Sequence, residues 1–105
     1  MDNGTIKLSR NVLFEDWFRN SKTAVVFIYL LLDAEREDKY RGYDKISRGE
    51  IDTTNEIIAG SCGLTVQNTR YALAYLEKIG EIRRERRNHY QIITIVNFEK
   101  YAVDD

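Results

Sequence analysis

The chain has 105 residues, 43% of them apolar, with 16 basic and 17 acidic side chains and a formal net charge of −1. That length fits one domain with a modest core, and the balance argues against a protein that holds polyanions by bulk charge alone. A single cysteine and a single histidine exclude an internal disulfide and the common Cys/His zinc sites, so neither metal nor cofactor is expected.

In chain order, "MDNGTIKLSR" is polar throughout and shows no secretory pattern, which predicts a cytoplasmic protein. "TIKLS" (5–9) alternates and reads as a short strand or an extended arm. "NVLFEDWFR" (11–19) sets Val12, Leu13, Asp16, Trp17 and Phe18 at helical spacing, so Trp17 and Phe18 anchor a first helix on the core or on a second subunit. "NSKT" (20–23) offers Asn20 or Ser21 as N-cap of a helix from about Lys22 to Arg36. Its run "AVVFIYLLL" (24–32) is apolar on nearly every side, as befits the central buried helix or one that partly faces another chain. The run is far shorter than the roughly 18–20 residues of a membrane span, so no membrane association is expected.

Residues 33–49, "DAEREDKYRGYDKISRG", are charged and hold two glycines, which predicts a loop with one short strand near Ile46. They lack the spacing of a nucleotide-phosphate loop. "EIDT" (50–53) alternates like a strand, and Thr54 caps a short helix over 55–62 with Glu56 near its positive end. "GLT" (63–65) turns the chain at Gly63, a residue free to take positive φ. Thr65 then caps a longer helix running to about Ile79, closed by Gly80. Strands at roughly 81–87 and 90–97 follow, joined at Asn88–His89, where asparagine tolerates a left-handed turn.

Helices, a helix–tight turn–helix, then a hairpin is the order of a winged helix-turn-helix. The expected fold class is therefore α+β, mainly α, in a single domain: an N-terminal extension over 1–48, and the helix-turn-helix with its wing over 49–101. Thr69, Ala72, Leu73, Leu76 and Gly80 share the inward face of the long helix, against Ile58, Ala59, Cys62 and Leu64. Gln67, Asn68, Arg70, Tyr71, Ala74, Tyr75 and Lys78 then point outward. Gln67 and Asn68 suit adenine, Arg70 guanine or phosphate, Tyr71 a phosphate or a thymine methyl, and the helix start at Thr65 a phosphate. The same residue types also suit a solvated face, and the Tyr71–Tyr75 pair suits protein docking.

Charge is not spread evenly. Residues 64–96 carry a net +3, from Arg70, Lys78, Arg83, Arg84, Arg86 and Arg87 against three glutamates, while the segments on either side are each −2. A hairpin bearing Arg83, Arg84, Arg86, Arg87 and His89 beside a helix in the major groove is placed to touch the DNA backbone or minor groove. Arginines also keep an exposed edge strand from aggregating; their position favours the DNA contact.

The stretch "TTNEIIAGSCGLTVQNTRYALAYLEKIGEI" followed by "HYQIITIVNFEKY" resembles the N-terminal winged-helix domain of phage replisome organisers and related DnaD-type primosomal proteins. "IKLSRNVLFEDWF" and "RGEIDTT" are similar to the same family, so the likeness touches most of the chain and is strongest over 49–101. It implies binding of double-stranded DNA in replication initiation, self-association through the N-terminal elements, and replication proteins as partners. Carried over by position, the recognition helix is Thr65–Ile79 and the wing about Arg83–Tyr90. Two departures stand out: the family usually has a second, C-terminal domain, and its commonly basic helix positions are Ala74 and Tyr75 here. A regulator of transcription, or an adaptor that has lost DNA binding, would share the fold. No catalytic constellation is recognised, with Cys62 facing inward and His89 without an acid–base partner. The expectation is a binding protein, not an enzyme.

Overall fold

In the computed structural model, residues 4–104 are described; residues 1–3 of the polar N-terminal stretch and Asp105 lie outside. Strand β1 (Thr5–Ile6) is shorter than the 5–9 stretch and pairs antiparallel with β7 (Ala102–Val103), which ties the two ends of the chain together. The expected first helix is instead two 3-10 turns, Arg10–Phe14 and Asp16–Arg19, separated by an extended Glu15. Val12 and Trp17 are the buried residues of these turns. In a continuous α-helix, residues five apart point about 140° away from each other; the break at Glu15 turns both inward. Trp17 is fully buried with the Phe27 ring 4.7 Å away and the Tyr101 ring 6.5 Å away. Leu13, Phe14 and Phe18 stay exposed.

Helix α1 (Ser21–Asp33) starts where Asn20 accepts a hydrogen bond from the Thr23 N–H at 3.0 Å. It buries Ala24, Val26, Phe27, Leu30 and Leu31 but leaves Val25 and Leu32 exposed. It stops short of Arg36 because the backbone finds other partners. The Glu35 N–H donates to the Glu50 carbonyl at 3.0 Å, and the Gly49 N–H donates back to Glu35 at 2.8 Å. In place of a loop with one strand, residues 39–46 form an antiparallel hairpin of β2 (Lys39–Arg41) and β3 (Asp44–Ile46). Strand β4 (Glu50–Thr53) follows as expected.

Thr54 caps α2 (Asn55–Cys62) by accepting from the Ile57 N–H, and Thr65 caps α3 (Val66–Lys78) by accepting from the Asn68 N–H. Between them Gly63 has φ 68°, the left-handed geometry its position predicts. Strands β5 (Ile82–Arg86) and β6 (Gln91–Ile95) join β4 in an antiparallel sheet of order β4-β6-β5. The hairpin is not closed by a left-handed asparagine, since no described non-glycine residue has positive φ. The Arg87 N–H instead donates to the Tyr90 carbonyl at 2.7 Å across a longer tip. A one-turn helix α4 (Phe98–Tyr101) leads into β7. The architecture is α+β, with four α-helices and three small antiparallel sheets among the described residues.

The core lies between α1, α3 and one face of the β4-β6-β5 sheet. Thr69, Ala72, Leu73 and Leu76 are the buried stripe of α3, as the spacing predicts, whereas Gly80 lies past the helix end and is exposed. Ile93 stands opposite both Ile51 and Arg84, and Ile82 opposite Ile95. Directly paired residues share a face, so these isoleucines meet the helices. Ile92 points to the other face and is buried, as is Ile46 of β3. No helix among the described residues is long and apolar enough to cross a membrane.

Gly49 is a tight backbone position in this frame. Its φ is 83°, and a Cβ there would meet the Phe98 Cβ at 3.0 Å. Gly49→Ala is expected to lower stability by about 1–2 kcal/mol from the left-handed backbone alone, and further from the Phe98 contact. Gly42→Ala, at φ 62° with nothing within 4 Å of the new Cβ, carries only the backbone cost. Urea unfolding of the two variants should rank Gly49→Ala as the less stable.

Candidate functional site

Burial of the Thr69–Leu76 stripe turns the opposite side of α3 to solvent. At about 100° per residue, Gln67, Tyr71, Ala74 and Lys78 form one ridge along that side. Arg70 and Glu77 fall on the flank towards the β5–β6 hairpin, while Asn68 and Tyr75 fall on the flank towards the start of α1. A groove runs along each flank. The one beside the hairpin, about 550 Å³, is lined by Arg70 and Glu77 of α3, by residues 53–56 before and at the start of α2, and by Arg84 and Arg86–Gln91. The other, about 620 Å³, includes Asn68, Tyr71 and Tyr75 together with Arg19 and Lys22.

The basic residues of the hairpin are not equivalent. Arg84 lies on the core side of β5, where it pairs with Glu77 at 3.0 Å. Arg83 and Glu85 lie on the opposite side of the strand, because Arg84 and not its neighbours faces Ile93. Arg87 is held by Asp44 at 3.1 Å and by Glu85 at 3.0 Å. Arg70, Lys78, Arg83 and Arg86 form no ion pair among the described residues; Arg70 only donates to the Gln67 carboxamide oxygen, at 3.1 Å. The positive charge on the flank facing the hairpin that no acid pairs is therefore that of Arg70 and Arg86; the His89 ring sits at the tip. Arg83 is a separate cation on the far face of the sheet, and Lys78 closes the ridge. Thr65 uses its hydroxyl as an acceptor for the α3 cap.

The β2–β3 hairpin braces the tip from behind, a contact that the charged sequence of 39–46 does not announce. Asp44 accepts from Arg87 and from the Tyr90 hydroxyl. The Arg41 guanidinium lies 3.8 Å from the Tyr90 ring centroid and also pairs with Asp52 at 3.2 Å. The aromatic–cation alternation of "KYRGYDK" was the available signal. The exposed Tyr40 and Tyr43 flank its Gly42 turn.

The acids of the C-terminal segment are spent elsewhere. Arg48 pairs with Glu99 at 2.7 Å and Asp104 at 3.0 Å, and Arg36 with Asp104 at 3.2 Å. Cys62 is half-buried and its thiol is pushed up by burial, which lowers its thiolate fraction and its nucleophilicity. Among the described residues no group of three or more potential metal ligands occurs. Comparison with protein-family models, with curated proteins and with solved structures returns no match in any of the three.

The tip brace has a defined pH window. Its Tyr90 hydrogen bond, and after it the Arg87 contact, hold the Asp44 carboxyl below the usual carboxylate range. The same hydrogen bond, with burial second, raises the Tyr90 hydroxyl. The brace is fully present above the ordinary aspartate value of about 4 and is lost as pH falls through the depressed Asp44 value. At the other end it is present below the ordinary tyrosine value of about 10 and is lost as pH rises through the raised Tyr90 value. The carbon-13 signals of the Asp44 carboxyl and the Tyr90 Cζ, which report these two ionisations directly, should change only outside about pH 5 to 9. Asp44→Asn should abolish the acid-side transition.

Proposed function

We propose that the chain is a winged-helix DNA-binding domain in which α3 enters the major groove of duplex DNA and the β5–β6 hairpin, as the wing, holds the adjacent backbone. The observation that carries this reading is the convergence of Arg70, Arg86 and His89 on one groove between an outward helix ridge and a hairpin tip. Two successive elements, α3 and the β5–β6 hairpin, turn guanidinium groups free of ion pairs to the same space, which suits phosphate oxygens. Gln67 on the ridge is suited to base edges. A role in phage or bacterial replication initiation, alongside other replication proteins, rests on the resemblance over 49–101 and belongs to the same proposal.

The test is anisotropy of a labelled random duplex titrated with the protein, at low and near-physiological salt. Arg70→Ala with Arg86→Ala is expected to weaken binding to all sequences and to flatten the log–log salt slope by roughly 0.9 for each phosphate contact removed. Arg84→Ala, whose guanidinium is already paired with Glu77, should change little. Gln67→Ala should relax sequence preference rather than the slope. Absence of duplex binding even at low salt would overturn the assignment.

Exposed apolar side chains at the N-terminal end favour self-association as a companion proposal. Phe14 is 74% exposed, Leu13 59% and, on α1, Leu32 62%. Light scattering at high protein concentration is expected to give a dimeric or larger mass, and Phe14→Ser with Leu13→Ser to return it to the monomer. A monomeric mass for the unaltered chain would remove this part.

A further inference from the structure

The flank of α3 away from the hairpin carries a second set of hydrogen-bond donors. Arg19, Asn20 and Lys22 meet Asn68, Tyr71 and Tyr75 around the groove of about 620 Å³, and Asp16 is the acid on its rim. Arg19 and Lys22 are exposed and form no ion pair among the described residues. Tyr71 is 65% exposed and Tyr75 37%. Two free cations, two phenol hydroxyls and a carboxamide are the side-chain types that phosphate oxygens take.

Geometry says which phosphates these are. An α-helix with its side chains is about 10–12 Å across, close to the roughly 12 Å width of the major groove. A helix seated there has one phosphate strand beside each flank. The hairpin serves one flank only, through Arg70, Arg86 and His89. We propose that Arg19 and Lys22, aided by Tyr71 and Tyr75, form a second phosphate-binding edge that holds the DNA strand opposite the one held by the hairpin. This rests on the duplex-binding reading above. It assigns a binding role to the turn before α1 and makes α3 the centre of a contact bracketed on both sides. It also sets positive charge beside α3 where the helix itself carries Ala74 and Tyr75.

The experiment is a salt series with the full chain and a 20-base-pair duplex, read by anisotropy, with circular dichroism melts to verify that each variant is folded. Arg19→Ala with Lys22→Ala is expected to weaken binding to all sequences alike and to lower the slope by roughly 1.8, two contacts at 0.9 each. Tyr71→Phe with Tyr75→Phe should weaken binding without changing the slope, because neutral donors release no counterion. The losses from the two flanks should add in log affinity, since the sites share no partner. If the Arg19/Lys22 variant keeps wild-type affinity and slope while Arg70→Ala with Arg86→Ala still loses both, the second edge is overturned and the duplex reading stands. If neither pair matters, both fall. If the Arg19/Lys22 variant loses affinity for an oligo-dT single strand but none for duplex, the groove is a stacking site for unpaired bases and the proposal is overturned.

Discussion

The structure depends on the burial of one stripe of α3. Leu73 and Leu76 are fully buried, with Thr69 and Ala72 beside them, between the apolar side of α1 and the isoleucines of the three-stranded sheet. Each such leucine contributes about 1.5–3 kcal/mol relative to exposure. The same burial sets the rotation of the helix about its own axis. Once that rotation is fixed, the ridge of Gln67, Tyr71, Ala74 and Lys78 has only one direction to face, and the two grooves follow on its flanks. A slip of one residue in the buried stripe would turn the outward face by about 100° and scatter both sets of donors.

Charge is organised by pairing rather than by amount. The near-neutral total hides a chain in which most acids are already matched: Glu77 with Arg84, Asp44 and Glu85 with Arg87, Glu99 and Asp104 with Arg48. These exposed pairs add little stability individually. Their larger effect is to decide which cations remain available. Arg84 and Arg87, which look equivalent to Arg83 and Arg86 in "RRERR", are taken up in shaping the hairpin. On the flanks of α3 the available positive charge falls on Arg70 and Arg86 on one side and on Arg19 and Lys22 on the other, with Lys78 on the ridge and Arg83 on the far face of the sheet.

The N-terminal turns and the C-terminal segment hold the frame together. Trp17 closes on Phe27 and Tyr101, which are distant in sequence from each other, and β1 pairs with β7. Arg36 donates to the backbone carbonyls of Thr5 and Val103, so one guanidinium joins both terminal strands. By this route the turn bearing Arg19 is pinned against α1, which in turn packs on the helix that carries Tyr71 and Tyr75. A segment that reads as a helix anchored by Trp17 and Phe18 is instead two short turns, the second of which lines the second groove.

Local chemistry by itself determined the elements whose signals are local. Thr54, Thr65 and Asn20 cap their helices because a side-chain oxygen meets a free N–H three residues on, and Gly63 turns left-handed because it lacks a Cβ. The buried and outward faces of α3 followed from its period. Tertiary structure alone decided the rest. The helix after Asn20 ends at Asp33 because Glu35 makes backbone hydrogen bonds across the fold, donating to Glu50 and accepting from Gly49. Residues 11–19 break at Glu15 because Val12 and Trp17 must both reach the core. The β2–β3 hairpin exists where one short strand near Ile46 was legible among charge and glycine, and it is held by Asp44 and Arg41 against Tyr90, Arg87 and Asp52. Which arginines are free, and that Arg19 and Lys22 stand beside Tyr71 and Tyr75, depends on contacts between residues dozens of positions apart. Pattern along a chain carries no record of those distances; packing does.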